Sequence, residues 1–160
     1  IGSMSTTPAS DLLRADHRRI EQHLDRMLDA LLHLSSARLP DLRDAFQAIR
    51  ALAEPHFRKE EDVFYPRLRP RFPALLAHMD TQHEQTRELE AHLNELLENT
   101  GKAFQTVREQ DEVHRFGIEF HDAVQVHIVD EEDHLLRIAD SELSSAEQSG
   151  LLAEMKAAGR

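Results

Sequence analysis

Apolar residues return every three or four positions through four long stretches of this chain, and each stretch ends at a cluster of prolines or serines or at a glycine. That spacing is the period of an α-helix with one buried face. Ser10 suits an N-cap, so a first helix is expected from about Asp11 to Leu34, where SSARLP breaks it. Pro40, with Asp41 behind it, suits the first turn of a second helix that runs to about Tyr65. Pro55 lies inside that helix and should kink it or free a carbonyl just before His56. Residues Pro66 to Pro73 hold three prolines and read as a connection. A third helix is expected from about Ala74 to Asn99, with Gly101 as its stop, and a fourth from about Ala103 to Ala139, with room for a break near its start. A short tail helix, about Ser145 to Ala158, should pack across one end. Four long helices with short connections predict an all-α fold: an antiparallel up-down-up-down four-helix bundle with a short C-terminal helix. One domain is expected over 10–158. It follows a disordered segment 1–9, in which Ile1 to Ser3 read as a cloning remnant ahead of Met4.

The phase of each stretch says which residues face inward. On the fourth helix Val113, Phe116, Phe120, Val124 and Ile138 share a stripe with His127. A helix turns about 100° per residue, which puts Glu131 about 40° from His127 and Glu132 about 140° away, toward water. On the second helix Leu42, Ala45, Phe46, Ile49, Leu52, Ala53, Val63 and Phe64 share a stripe with His56 and Glu60, and Glu61 points out. Leu13, Ile20, Leu24, Leu28 and Leu31 surround His17 on the first helix, with His23 to one side. Leu76, Met79, Leu93 and Leu97 centre the third, with His83 at one edge and His78 at the other.

Composition narrows what such a fold can do. The 160 residues are 31% charged, with only 5 glycines and 6 prolines, which favours helix and suits a single core. A formal net charge of -11 speaks against nucleic acid as a partner. No apolar stretch nears the roughly 20 residues that span a bilayer, so no membrane partner is expected. Without cysteine there is no disulfide, thiolate ligand or cysteine nucleophile, which fits a reducing, cytoplasmic location. No Ser-His-Asp order or glycine-rich phosphate loop stands out.

One repeat carries chemistry. HFRKEED, His56 to Asp62, returns as HIVDEED, His127 to Asp133. A histidine with a glutamate four positions on is weak by itself, because roughly one such spacing is expected by chance in a chain this rich in both. A histidine followed at that offset by Glu-Glu-Asp is expected about 0.01 times per chain, and it occurs twice. Alone, His17 is most simply a satisfied core residue, and His56 with Glu60 a pair on a helix surface. The same pair on the inward face of a second helix argues for a shared task. Burying unpaired carboxylates is costly. Arg67 and Arg87 lean inward, but from helix ends or stripe edges, and cations compensate better. Imidazoles and carboxylates from facing helices suit iron, manganese or zinc. Two carboxylates can bridge two ions while each imidazole keeps its tautomer through a hydrogen bond behind it. His23, His33, His92, His114 and His121 read as solvated or flanking. His134 shares the His127 stripe but lies about 10 Å further along, too far for the same metal pair. Tyr65 projects away from its stripe unless Pro66 unwinds the helix end. Glu61, Asp62, Glu132 and Asp133 read as a solvated face, so replacing Glu61 or Glu132 should change little.

With DHRRIEQHL on helix one, HFRKEEDVFYPRL on helix two, QHEQTRELEAHL on helix three and HIVDEEDHLL on helix four, the chain resembles the hemerythrin family. Within it, the chain looks like bacterial hemerythrin-like proteins with the HHE cation-binding domain. The resemblance runs from about Leu12 to Leu152. It implies an antiparallel four-helix bundle around two non-haem iron ions, joined by an oxo or hydroxo bridge. Matched residue by residue, it implies His17, His56, Glu60, His83, His127 and Glu131 as metal ligands, with Glu60 and Glu131 bridging. Oxygen-carrying members have a further helix-three histidine where this chain has Met79, and a thioether is a poor ligand for oxidised iron. Pro55 beside His56 is a second departure. The function this implies is binding of a small diatomic ligand such as dioxygen, for sensing, storage or carriage. The alternatives are a di-iron peroxidase or oxidase acting on hydrogen peroxide or nitric oxide, and a non-catalytic iron- or zinc-binding helical bundle.

Overall fold

The structure, a computed structural model, describes residues 8–159, and among these the backbone is helical with no strand. Helix α1 is Ala9–Leu32. Helix α2 covers 39–68: a regular stretch Leu39–Lys59, a wider π turn Glu60–Phe64 and a last α turn Tyr65–Leu68. Helix α3 is Pro73–Thr100. Helix α4 covers 107–142, with a second π turn, Glu131–Leu136, between Val107–Asp130 and Arg137–Glu142. Helix α5 is Ser145–Ala158, closed at its start by a reciprocal capping box between Ser144 and Glu147. No helix among the described residues is long and apolar enough to cross a membrane.

Local chemistry explains where the boundaries depart from expectation. Helix α4 starts at Val107, not near Ala103, because the Thr106 hydroxyl accepts from the Glu109 N–H and caps it there. Helix α2 passes Tyr65 and takes Pro66 into its final turn instead of ending before it. Pro55 stays within the regular part of α2. Of the N-terminal segment expected to be disordered, residues 1–7 lie outside those described. Ala9 already belongs to α1: it is buried, and its N–H donates to Gln148 Oε1 at 2.8 Å.

α1 packs along α2 and α4, α3 packs along α4, and α5 lies across α1 and the π turn of α2. Ion pairs mark the α1–α2 seam: Asp16 with Lys59 at 2.9 Å, Arg26 with Asp44 at 2.7 Å, and Asp29 with Arg38 just ahead of α2 at 2.7 Å. Where α1 and α4 meet, Gly117 allows close approach, since a Cβ there would stand 2.5 Å from a Leu31 methyl. The apolar interior is divided in two. One compartment holds Ile20, Leu24, Met27, Phe46, Ile49, Leu93 and Phe120, with the Phe46 and Phe120 rings edge to face at 5.3 Å. Met27 rather than Leu28 fills the α1 position there, Leu28 being only half buried. The other compartment holds Leu13, Phe64, Leu68, Leu76, Met79, Leu135, Leu136, Leu151 and Met155. Each of α1 to α4 passes from one compartment to the other through a buried histidine: His17, His56, His83 and His127.

Candidate metal centre

Those four histidines, with Glu60 and Glu131, form a polar belt between the compartments, and every one of the six is at most 3% exposed. Each acidic segment presents its histidine and glutamate on one regular turn, because the Glu60 N–H bonds to the His56 carbonyl and the Glu131 N–H to the His127 carbonyl. Residues four apart on a helix are neighbours on one face. Both π turns begin at these glutamates. In α2 the widening shows as a bond from the Tyr65 N–H back five residues to Glu60. Pro66, which has no N–H to give and whose ring would clash with the carbonyl four residues back in a regular helix, suits this widened turn, but α4 opens at the same place with Arg137 at the matching position, so a proline is not required.

The belt has two halves. His17 Nε2 and His56 Nε2 are 3.1 Å apart, and His83 Nε2 and His127 Nε2 are 3.0 Å apart. Glu131 reaches both halves, with Oε1 3.1 Å from His17 Nε2 and Oε2 3.3 Å from His127 Nε2. Glu60 also reaches both, with Oε1 3.2 Å from His56 Nε2 and 3.1 Å from His83 Nε2. His17, His56, Glu60 and Glu131 can therefore offer four ligand atoms within 4.8 Å of one another, and so can Glu60, His83, His127 and Glu131.

The other nitrogen of each ring explains why the Nε2 atoms converge. His17 Nδ1 donates to Glu132 at 2.7 Å, His56 Nδ1 to Asp16 at 3.0 Å and His83 Nδ1 to Glu61 at 3.2 Å. His127 Nδ1 donates to Gln82 Oε1 at 2.8 Å, and the Gln82 amide is oriented by its own bond to Asp130 at 2.7 Å. Carboxylates and amide oxygens only accept, so the proton is assigned to Nδ1 and the neutral ring keeps a lone pair on Nε2. Two such lone pairs 3 Å apart repel unless a cation or proton lies between them. Both oxygens of Glu60 and Oε1 of Glu131 are buried without a hydrogen-bond partner. Orphaned carboxylate oxygens in an interior are costly. A donor set of imidazoles and carboxylates suits iron, zinc or manganese. The residues present thus fit a pair of metal cations.

Protonation follows the same electrostatics. Burial alone would lower the His56 pKa, but the charge of Glu60 and the bond to Asp16 lift it to about 10. Burial likewise opposes, and Glu131 with Glu60 overcomes, for His127, which rises to about 9. Burial disfavours the Glu60 carboxylate, yet the His56 charge holds it well below the usual range. Without metal, protons on the imidazoles supply the positive charge that the two carboxylates require.

Several sequence expectations change here. Glu61 and Glu132 do not form a solvated face. Glu132 holds His17 and also pairs with Arg18, while Glu61 holds His83 and takes both prongs of Arg87 at 2.7 Å each. The bond from His83 is the chief reason that the Glu61 pKa falls to about 2. The geometric reason is that Nδ1 and Nε2 leave the ring in roughly opposite directions. The partner of a core histidine therefore sits at a helix seam, where a residue about 140° off the neighbouring stripe points. Asp16 and Gln82, which periodicity left unmarked, occupy two more of these places. Tyr65 is fully buried, with its hydroxyl donating to Glu131 and 3.1 Å from His83 Nε2. His134 is exposed, not in the His127 stripe, and Arg67 is exposed too. His78 points outward, near Asp130 at 3.4 Å, and leaves the third-helix place to His83. His121 is buried at the edge of α4 rather than solvated. Phe57, unmarked by the stripe, stacks on His83 with ring centroids 4.0 Å apart, and the Arg87 guanidinium lies 5.1 Å from the Phe57 centroid.

Comparison with known families points to cation binding. The family model for the hemerythrin HHE cation binding domain matches residues 9–139. No curated protein and no solved structure matches the chain.

Proposed function

Because the chain belongs to the hemerythrin HHE cation-binding family, we propose that it folds as an antiparallel four-helix bundle holding two non-haem irons and binds a small diatomic ligand, chiefly dioxygen, at that centre. The observation that carries this reading is the convergence of four Nε2 lone pairs on two carboxylates whose oxygens lack hydrogen-bond partners. His17, His56, Glu60 and Glu131 would hold one ion; Glu60, His83, His127 and Glu131 would hold the other. Iron bound there would supply a redox-active Lewis-acid pair. The chain's own groups do the rest. Apolar compartments on both sides exclude water. The Nδ1 partners hold the four rings in place. Tyr65 keeps an O–H at the His83–His127 half. Met79, one turn before His83 on α3, is buried in the compartment with Leu13 and Leu76, and its thioether leaves the His83–His127 half with two imidazoles only. A surface groove of about 530 Å³ along α3 is lined by His83 together with Glu61 and Arg87.

The test is anaerobic loading with iron, elemental analysis and absorption spectra through cycles of dioxygen addition and removal. Two irons per chain and a visible band that comes and goes with dioxygen are expected. Rapid loss of added hydrogen peroxide with no reversible band would move the assignment to a peroxidase. A colourless protein that retains zinc would move it to a non-catalytic metal-holding bundle.

A further inference from the structure

The two halves of the belt share Glu60 and Glu131 but are backed differently, and this inference rests on the dinuclear reading above. Behind His17 and His56 stand two carboxylates, Glu132 at 2.7 Å and Asp16 at 3.0 Å. Behind His83 stands Glu61 at the longer distance of 3.2 Å, and Arg87 draws on both of its oxygens at 2.7 Å. Behind His127 stands an uncharged amide oxygen, that of Gln82. A carboxylate that accepts the Nδ1 proton makes the imidazole a stronger donor at Nε2 than an amide does.

Solvent and hydrogen bonding act in the same direction. The Asp16 side chain is 11% exposed and that of Glu61 29%, so the field of Glu61 is the more screened. Tyr65 donates to Glu131 Oε2, the oxygen that faces His127, and so draws density from a donor of that half. Oε1, which faces His17, carries no hydrogen bond. Lys59 and Arg18 offset part of the difference, each meeting the oxygen that accepts from the histidine, but each leaves the other oxygen of its carboxylate free of a cation where Arg87 takes both, and Arg18 is 56% exposed.

We propose that the two cation positions fill in order, the His17–His56 position first and the His83–His127 position second and more weakly, and that Asp16 and Gln82 set this order. At limiting metal the chain then carries one ion, held between α1 and α2, and the second ion is the exchangeable one.

Anaerobic calorimetric titration of the metal-free chain with Co²⁺, followed in parallel by cobalt visible absorption, tests this without reference to activity. The wild-type chain should take up two Co²⁺ in two steps separated by about tenfold or more in affinity. Asp16→Asn should weaken the first step by about tenfold and spare the second. Gln82→Glu combined with Asp130→Asn keeps the hydrogen bond between those positions while placing a carboxylate behind His127, and should strengthen the second step by about tenfold. Should Asp16→Asn fail to fold, as read from the melting curve of the metal-free protein, the Gln82/Asp130 pair decides the matter alone. Two equal sites, or an Asp16→Asn effect confined to the second step, would overturn the order and leave the dinuclear centre standing. Uptake of fewer than two Co²⁺ per chain would remove the dinuclear centre and the order with it.

Discussion

The two acidic segments start alike and end differently. HFRKEED and HIVDEED each set a histidine and a glutamate on one turn, and each then opens into a π turn. Five residues past the glutamate, α2 delivers Tyr65 to the interior and α4 delivers Leu136, both fully buried. One position brings a hydroxyl to Glu131; the other brings hydrocarbon. The second glutamates also part company, since Glu61 is taken up by Arg87 of α3 and Glu132 by His17 and Arg18 of α1. The histidines are backed by Asp16 in one case and Gln82 in the other. The motif thus supplies the inward ligands, while the helix packed beside each copy decides how those ligands are held.

Removing the shared part should have the largest effect. Glu60→Ala and Glu131→Ala should each lower metal affinity by about 100-fold or more, and the melting temperature of the metal-loaded protein should fall with it, because binding energy is folding energy. Elemental analysis and thermal melts check this, and a variant that retained both ions would break the equivalence of the two segments. Next is pH. His56 and His127, raised to about 10 and about 9, favour the protonated form in the folded state. In the metal-free protein their stabilisation is fully present below about pH 6.5 and is lost as pH climbs through 9 to 10. A fall in melting temperature on the order of 10 °C over that window is expected. Metal binding should release protons and flatten the profile. Asp16→Asn should bring the two histidines closer together, as read by NMR titration of the imidazoles.

Smaller still is the effect of the second glutamates. Glu132→Ala and Glu61→Ala should weaken metal binding by about 10- to 100-fold, with Glu132 the larger because it makes the shorter bond to its histidine. Affinities unchanged in both would return these side chains to the solvent-facing role that periodicity assigns them. Tyr65→Phe comes last. Loss of one hydroxyl partner should cost the metal-free protein about 1–3 kcal/mol by denaturant titration while leaving two ions bound. Release of metal from that variant would make the phenol a ligand rather than a donor to Glu131.

The helices, their order and four of the belt residues, His56, Glu60, His127 and Glu131, could be read from periodicity and one repeated segment because, up to Glu60 and Glu131, the helices keep a constant phase. His17 shares a stripe but has no repeat to mark it, and only the family resemblance sets His83 above His78. Beyond each glutamate the phase slips by about one residue, or about 100°. That slip moves Tyr65 inward and His134 outward, opposite to what a regular helix predicts for each. Pro66 was the visible signal in α2, as the residue that disfavours a regular turn four back; α4 has no such marker. Asp16, Gln82, Glu61 and Glu132 escaped for a different reason. A stripe finds what faces the centre, whereas these side chains meet the far edge of a ring on an adjacent helix. A search for polar residues at the seams, level with each histidine, would have found them.

The division of the apolar interior by the belt bears on how the molecule opens. Without cations, the layer between the two compartments is held by protonated imidazoles against carboxylates, contacts that entering water can replace, as it cannot replace the apolar packing on either side, so it is the plane along which the protein should come apart most readily. Amide hydrogen exchange in the metal-free chain should then report two separately protected blocks, one around Phe46 and Phe120 and one around Leu68 and Leu151. Filling the belt should merge their exchange rates, turning a pair of loosely coupled folding units into one.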